Sequence, residues 1–274
     1  MNGLSAYINS RTGAMNNAYE PESYWTEVAQ RIKERADGKN VIAGDDEPYY
    51  RYKRKRFLQL LHSVDFAGKS VLEVGCGPGG NLLEVARKNP ARLVGVDISA
   101  EMALLAKSKM HHQAEVYKVN GTRLDFPDQT FDIVFTATVL QHNTNETMLL
   151  DVMKEISRVS RKKVYLFERI ESEIKGDELC LGRPVSYYEK IMKQNGFVLQ
   201  SVRYINVRVS YYVCGAIRKL LNPRTRKEGE PLNRLSVMLQ HLVLPLTRLL
   251  DRLFPSKTDV AKLEFERSVT LTAS

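Results

Sequence analysis

Short apolar runs alternate with helical periodicity through the middle of the chain. The runs predict strands near residues 71–75, 92–97, 114–118, 132–137, 163–168 and 197–205. Apolar residues at helical spacing predict helices between them, near 80–88, 99–110, 146–160 and 186–195. Strands and helices that alternate in this way form a parallel sheet with helices on both faces. Ligands of such sheets bind at the carboxyl ends of the strands.

The regions on either side of this alternating core have their own patterns. With 43% hydrophobic residues, the 274-residue chain can form one large domain with additions. Apolar and polar residues alternate over 260–267, which predicts a last strand, while a competing interpretation places that strand at 210–217. The predicted divisions are a mobile arm (1–20), two N-terminal helices (21–66), the core (67–205), an inserted helical pair (206–257) and a final strand with its tail (258–274).

The strand at 71–75 enters a glycine-dense turn that is the main candidate for a ligand site. Gly75, Gly77 and Gly80 satisfy G-x-G-x-x-G, which is typical of dinucleotide sites. Gly75, Gly77 and Gly79 satisfy G-x-G-x-G, which is typical of methyl donors built on adenosine. Glycine-rich turns also occur without any ligand, so the glycines alone leave the question open.

Three polar residues around this turn favour the methyl donor. Glu73 lies inside the strand, two residues before the first glycine, and can face the cationic amino group of a methionine moiety. Asp97 ends the second strand, where an acid can accept hydrogen bonds from both ribose hydroxyls. Asn120 follows the third strand and offers an amide to an adenine edge.

These motifs resemble the class I S-adenosylmethionine-dependent methyltransferases, particularly the bacterial small-molecule group. The matching segments are VLEVGCGPGG (71–80), VGVDISAEM (94–102), VNGTRLDFPDQTFDIVF (119–135) and TVLQHN (138–143). The resemblance covers roughly residues 50–205. It implies an α/β fold with a Rossmann-like, doubly wound, seven-stranded, mostly parallel sheet, N-terminal lid helices and a C-terminal helical insertion. The last strand of such a sheet is antiparallel to the others.

The resemblance also implies S-adenosyl-L-methionine as the cofactor. The residues expected to bind it are Glu73, Gly75, Cys76, Gly77, Gly79, Asp97, Ile98, Met102, Asn120, Gly121 and Thr136. Asn120 departs from the family, which commonly has Asp at the position that reads adenine. We expect function to survive, because an amide both accepts and donates hydrogen bonds.

Two side chains are candidates for catalysis at the acceptor side. His142 follows the fourth strand, where the family's acceptor pocket lies, and its ordinary pKa near ~6.5 suits a general base. Glu168, at the tip of the fifth strand, is the second candidate. The alternatives are structural: His142 can pack against the cofactor or cap a helix, and Glu168 can pair with Arg169.

The N-terminal helices supply further candidates. Tyr24, Trp25, Tyr49 and Tyr50 can cover the methionine end of the cofactor or simply pack within the fold. Arg51 can reach the cofactor carboxylate or remain on the surface.

Missing motifs narrow the acceptor class. The fourth strand is not followed by Asp/Asn-Pro-Pro-Tyr/Phe, by a Pro-Cys dipeptide or by a paired-glutamate loop, which argues against adenine, glutamine, cytosine-ring and arginine methylation. The acidic cluster of magnesium-dependent catechol-type enzymes is also missing there, so no metal is expected. We expect transfer to an oxygen or nitrogen of a small-molecule acceptor or of a lipid- or glycan-linked one.

Charge and apolar patterning leave several partners open. The net charge of +9 permits contact with nucleic acid or anionic lipid. Aromatic and basic residues interleave over 49–54, so an RNA methyltransferase is an alternative, as is a non-catalytic protein that binds the cofactor. Residues 232–254 place leucines on one broad face near arginines, which predicts either peripheral membrane contact or a buried lid helix.

The remaining signals concern the compartment. The three cysteines have neither metal-ligand spacing nor a disulfide framework, and the first residues show no secretion signal. We therefore expect a cytoplasmic protein. The sequence carries no signal for an oligomeric state.

Overall fold

The computed structural model describes residues 20–34, 47–223, 225 and 231–268. Residues 1–19 of the predicted arm lie outside the described residues. The helices are α1 (Pro21–Glu34), α2 (Pro48–Leu61), α3 (Gly80–Ala86), α4 (Ala100–Met110), α5 (Glu146–Val159), α6 (Val185–Gln194), α7 (Arg208–Leu221) and α8 (Arg234–Leu253). The strands are β1 (Ser70–Val74), β2 (Arg92–Asp97), β3 (Glu115–Lys118), β4 (Phe131–Ala137), β5 (Ser160–Ile170), β6 (Lys175–Gly176), β7 (Leu181–Gly182), β8 (Phe197–Tyr204) and β9 (Asp259–Arg267).

Seven strands form one sheet in the order β3-β2-β1-β4-β5-β9-β8. Strands β1 to β5 run parallel, and β9 lies between β5 and β8, antiparallel to both. The predicted fold class, with its last strand near 260–267, is therefore confirmed. The competing placement at 210–217 is wrong, because those residues lie in helix α7.

The sheet is covered on both faces, as a parallel sheet requires. On one face Phe135 and Phe167 pack with Phe57 of α2. On the other face Val134 and Leu166 pack in a cluster with helices α5 and α6. The short β6–β7 hairpin was not predicted, because strands of two residues leave no periodicity in the sequence.

The two N-terminal helices lie over different parts of the carboxyl edge. Helix α1 packs on α4 through Val28 and Ala29, and the Thr26 hydroxyl lies 3.0 Å from the Ser99 hydroxyl. Helix α2 lies between the sheet and α8, and the Tyr49 amide donates to the side-chain oxygen of Gln240 over 3.4 Å. Both helices therefore border the edge at which ligands of this fold bind.

The helical insertion predicted at 206–257 is present as α7 and α8, which pack together. Its orientation differs from the buried-lid interpretation, because most of the leucines on α8 face solvent. The buried positions of that helix are Ser236, Gln240, Leu244, Thr247 and Asp251. Among the helices that the structure describes, we find none long and apolar enough to cross a membrane.

Candidate cofactor and acceptor site

A cavity of about 500 Å³ opens at the carboxyl ends of the central strands. It extends along the sheet edge from Val119 and Gly121, which follow β3, to Val260 of β9. Helices α1 and α2 form its outer wall. A cavity of this size lies within the usual range of roughly 300–1,000 Å³ for small-molecule sites.

The glycine loop after β1 forms the floor of the cavity. Gly75 has φ +73°, and a Cβ there would lie 2.3 Å from Val139 Cγ2, so only glycine fits. Gly77 and Cys76 also line the cavity, and burial raises the pKa of the Cys76 thiol well above its usual value. Gly79 serves a different purpose, because a Cβ at this residue would lie 3.1 Å from Ala106 Cα of α4. It lets α3 approach α4 and thereby fixes the loop.

Asp97 lines the cavity at the tip of β2 and is held by backbone amides. The Gly77 amide donates to its Oδ2 over 2.8 Å, and the Ser99 amide donates to its Oδ1 over 2.9 Å. Burial raises the pKa of this carboxyl to about 6, against those amide hydrogen bonds. The group is therefore largely ionised at neutral pH, and its remaining lone pairs can accept hydrogen bonds from a ligand.

Glu73 lies fully buried behind the loop, next to two residues of the cavity wall. Asn81 Nδ2 donates to Glu73 Oε1 over 2.7 Å, and Arg54 Nη1 donates to Asn81 Oδ1 over 2.5 Å. The second carboxyl oxygen, Oε2, is buried without a hydrogen-bond partner. Burial raises the pKa of Glu73 to about 8. A buried carboxyl with an unpaired oxygen favours the arrival of a cation.

Apolar residues form the end of the cavity near β2 and β3. Ile98, Met102 and Gly121 line it, together with Met148 of α5. A Cβ at Gly121 would lie 2.7 Å from Ile98 Cδ1, so glycine is needed for this close approach of Ile98. An apolar wall of this kind suits a planar aromatic ring.

The structure does not bring Asn120 into this wall. Its Oδ1 accepts hydrogen bonds from the backbone amides of Thr122 and Arg123, over 3.1 and 2.9 Å. The side chain is exposed and shapes the turn that carries Gly121. The predicted adenine contact is therefore replaced by a turn-forming role, which Asn commonly takes.

Thr136 and Glu168 also lie behind the cavity wall. The Thr136 hydroxyl donates to Glu168 Oε1 over 2.8 Å, and the amides of Val139 and Gln141 donate to the same carboxyl over 3.1 and 3.2 Å. Burial raises the pKa of Glu168, against those hydrogen bonds. The carboxyl is fully buried, so it holds the loop after β4 in place and does not face an acceptor.

His142 lines the cavity in a defined tautomer. Its Nδ1 lies 2.8 Å from the carbonyl oxygen of Leu179, so Nδ1 carries the proton and donates. Gln141 Oε1 accepts from the Arg169 amide, which directs Gln141 Nε2 toward His142 Nε2 at 3.1 Å. The Nε2 atom therefore accepts this hydrogen bond and carries the basic lone pair of the ring.

The aromatic residues of the N-terminal helices divide between the cavity and the core. Trp25 lines the cavity, and its ring centroid lies 5.1 Å from that of His142 in an edge-to-face contact. Tyr50 also lines it, whereas Tyr49 is buried against α8. Tyr24 packs edge-to-face on Trp25.

Of the two roles open to Arg51, the structure shows the surface one, and a different arginine of α2 lines the cavity. Arg51 is exposed and lies near His241, whereas Arg54, one helical turn later, lines the cavity with Asn81. The available signal was the helical spacing of Tyr50, Arg54 and Phe57, which places them on one face.

Comparisons with known proteins agree with this geometry. The family model described as "Methyltransferase domain" matches residues 71–163, which include the glycine loop, Asp97 and the loop after β4. The magnesium protoporphyrin IX methyltransferase of Synechocystis, solved with bound S-adenosylmethionine, has the same fold. It aligns with a TM-score of 0.56 at 15% identity, over 93% of this chain and 100% of that one.

Residues 71–163 are thus similar to methyltransferase domains, and the fold is that of a solved S-adenosylmethionine-binding methyltransferase. The fatty-acid O-methyltransferase of Mycolicibacterium smegmatis is 39% identical over 84 residues, 28% of this chain and 30% of that protein. A sterol 24-C-methyltransferase of Aspergillus fumigatus is 31% identical over 119 residues, 41% of this chain and 31% of that protein. The chain spans less than half of the length of the curated relatives it matches.

The residues of the cavity fit the family's cofactor, S-adenosylmethionine, on three observations. The unpaired oxygen of Glu73 suits the cationic amino end of the methionine moiety. The amide-held carboxylate of Asp97 suits two ribose hydroxyls. The apolar wall formed by Ile98, Met102 and Met148 suits the adenine ring.

Proposed function

We propose that this protein transfers a methyl group from S-adenosylmethionine to an oxygen or nitrogen of a largely apolar small-molecule or lipid-linked acceptor. The observation that carries the proposal is the division of the cavity into two chemically different ends. One end has the loop, the carboxyls and the apolar residues Ile98, Met102 and Met148. The other end is lined by residues of α2, of the segment after β8 and of β9.

The acceptor end has an apolar wall with one cation. Phe57, Ile205 and Val260 line it, with the Tyr50 ring at its edge. Lys53 lines the same region and pairs with Asp259, its Nζ donating to Oδ1 over 2.8 Å. An acceptor with an aliphatic or ring body and one polar group matches this wall best. The fatty-acid O-methyltransferase and the sterol 24-C-methyltransferase among the relatives are consistent with that class.

The sulfonium donor supplies an activated methyl group, and the protein's task is alignment and exclusion of water. Trp25 and α1 cover the cavity from outside, which limits the entry of water beside His142. If the acceptor is a hydroxyl, His142 Nε2 is the atom that takes its proton, and the Gln141 amide must then turn away. The Leu179 carbonyl stabilises the imidazolium through Nδ1. A carboxylate acceptor needs no such step, whereas an aliphatic ammonium acceptor must also lose a proton before its nitrogen can attack.

The RNA alternative receives no support from the aromatic residues of α2. A single-stranded site stacks exposed bases on exposed rings. Tyr49 and Tyr52 are buried, with exposures of 1% and 9%, and the Tyr50 hydroxyl accepts from Arg218 over 3.0 Å. These rings hold α2 against its neighbours.

A turnover assay tests the proposal. The purified protein is incubated with S-adenosylmethionine and separately with a long-chain fatty acid, a sterol and a long-chain amine. Formation of S-adenosylhomocysteine and of methylated product is followed by mass spectrometry. We expect turnover with at least one apolar acceptor, and a much lower rate with Asp97→Ala at a donor concentration that does not saturate this variant.

A matched control separates the site from general effects of charge. Asp125 is exposed on the surface, so Asp125→Ala should retain turnover. If the protein binds S-adenosylmethionine but turns over no member of the panel, the proposal is overturned and the non-catalytic alternative takes its place.

A further inference from the structure

Helix α8 has the reverse of the usual surface-helix arrangement. A surface helix normally turns its apolar stripe toward the core and its polar residues toward water. Here Ser236, Gln240, Thr247 and Asp251 are all buried on the inner side. Leu244 is the one apolar residue among the five buried positions of this helix, and most of its leucines lie outside.

Hydrogen bonds fix this orientation. Asp251 Oδ1 accepts from the Val209 amide over 2.8 Å, and Asp251 Oδ2 accepts from the Ser210 hydroxyl over 2.5 Å. The hydroxyls of Ser210 and Thr247 lie 2.9 Å apart. Turning the helix to bury its leucines would leave a carboxyl and its amide donors unpaired, which is costly. The hydrogen bonds between α7 and α8 thus fix the outward orientation of the apolar face.

That outward face is a continuous apolar strip along α8. Its members are between 46% and 68% exposed: Leu235, Met238, Leu242, Leu246, Leu249 and Leu253. We call these six residues the apolar strip. Exposed contiguous apolar surface with a polar rim marks an interaction site in a folded protein.

The charges near the strip are of one sign. Arg234 and Arg252 flank it on α8, and Arg208 and Lys219 are exposed on α7. Along the described residues of α7 and α8, the one acidic side chain is Asp251, which is buried. An apolar strip with a basic rim is complementary to a surface that is apolar beneath and anionic above.

We propose that the apolar strip and its basic rim dock the protein on an anionic lipid bilayer, with α8 lying in the interface. The leucine side chains would enter the boundary between headgroups and acyl chains, and the arginines would contact lipid phosphates. A second copy of the chain is a poorer occupant, because two such basic rims would repel each other.

The strip lies one helix away from the acceptor end of the cavity. Helix α8 packs on α2 through Gln240 and through Arg248, whose guanidinium lies 4.7 Å from the Tyr52 ring centroid. The opposite side of α2 carries Tyr50 and Phe57 into the cavity. Docking therefore presents the acceptor end close to the bilayer, a consequence that rests on the proposed function, whereas the docking itself does not.

Vesicle flotation with the full-length protein tests the docking. The probe is a vesicle of phosphatidylcholine containing roughly one third phosphatidylserine. We expect the wild type to float with these vesicles and to be released in part by high salt, because the rim contribution is screened. We expect Leu242→Glu/Leu246→Glu to bind at least about tenfold more weakly. The variant Arg234→Gln/Arg252→Gln should bind the anionic vesicles more weakly, by roughly fivefold for each arginine replaced.

Matched measurements keep the test decisive. Leu104 of α4 is also an exposed leucine, at 56%, and Leu104→Glu should float as the wild type does. Since every substituted side chain is exposed, thermal melts should show an unchanged fold. A wild type that stays in the soluble fraction at low salt overturns the proposal, as does equal flotation of the Leu242→Glu/Leu246→Glu variant. A strip-dependent dimer in sedimentation, without vesicle binding, overturns it in favour of a second copy.

Discussion

Glu73 should lose a proton when the methyl donor binds. Its pKa is raised to about 8 by burial, so at pH 7 the carboxyl is about 0.9 protonated in the free protein. A cationic amino group beside the unpaired Oε2 favours the ionised form. If the pKa returns to its ordinary value of 4.5, binding releases about 0.9 protons at pH 7.

The same linkage sets the pH dependence of donor affinity. With a pKa of about 8, the ionised fraction of Glu73 rises about eightfold between pH 6.5 and pH 7.5, and the binding constant should rise with it. Asp97, with a pKa of about 6, contributes less than about twofold over that interval. Calorimetry in phosphate and in Tris, which differ in ionisation enthalpy, measures the proton release directly.

Glu73→Gln is the matched variant, because it keeps the shape and the Asn81 contact but cannot titrate. It should bind the donor more weakly and lose most of both the proton release and the pH slope. Proton release that is unchanged in Glu73→Gln, or near zero in the wild type, would refute this reasoning.

The stability of the free protein provides an independent test of the raised pKa of Glu73, because that pKa predicts the direction in which stability changes with pH. Glu73 ionises at about 4.5 when unfolded and at about 8 when folded, so between those values the folded state binds more protons. Its contribution to stability is therefore lost as pH rises through this window. Glu73→Gln removes that loss, so its melting temperature relative to wild type should increase from pH 5 to pH 8. A constant difference would contradict the raised pKa.

Three further predictions concern the loop, the insertion and the acceptor wall. A Cβ on Gly95 would lie 2.6 Å from Leu82 Cδ1, so Gly95→Ala should displace α3 and weaken donor binding measured by calorimetry. Asp251→Ala should lower the free energy of unfolding by roughly 2–5 kcal/mol, because it leaves buried donors unpaired, while Asp125→Ala should not; chemical denaturation measures both. Tyr50→Ala should raise the acceptor KM without changing the donor Kd, and a change in donor Kd alone would place Tyr50 at the wrong end of the cavity.

The donor side of the site was predictable because its chemistry is local. Glu73 lies near the end of β1, the glycines follow that strand directly, and Asp97 is the last residue of β2. Their order along the chain therefore fixes their place at the sheet edge. The fold was predictable for the same reason, since buried strands and amphipathic helices carry distinct periods. Even the last strand could be placed, because apolar and polar residue types largely alternate over 260–267 in the sequence.

The residues that were misplaced depend on side-chain direction, which spacing alone does not fix. Thr136 lies on β4 beside Ala137, and side chains on successive strand positions point to opposite faces, so Ala137 lines the cavity and Thr136 does not. The side chain of Asn120 accepts a hydrogen bond from the backbone of the turn that this residue starts. On α2, a shift of three residues separates the exposed Arg51 from Arg54, which lines the cavity.

The direction of α8 could not be read from the sequence for a related reason. Periodicity shows that one face is apolar, but the direction of that face depends on what packs against the other. Here the polar face of α8 forms hydrogen bonds with Ser210 and with the amide of Val209 on α7. Because that face is held inside, the leucines face outward.

Direct titration of the protein with S-adenosylmethionine tests the central claim, that this cavity is a methyl-donor site. We predict saturable binding to the wild type. For Asp97→Ala we predict an affinity for S-adenosylmethionine that is roughly 10- to 150-fold lower. This is the effect of removing about 1.5–3 kcal/mol of charged hydrogen bonding. Absence of binding to the wild type, or equal affinity in Asp97→Ala, would contradict the account.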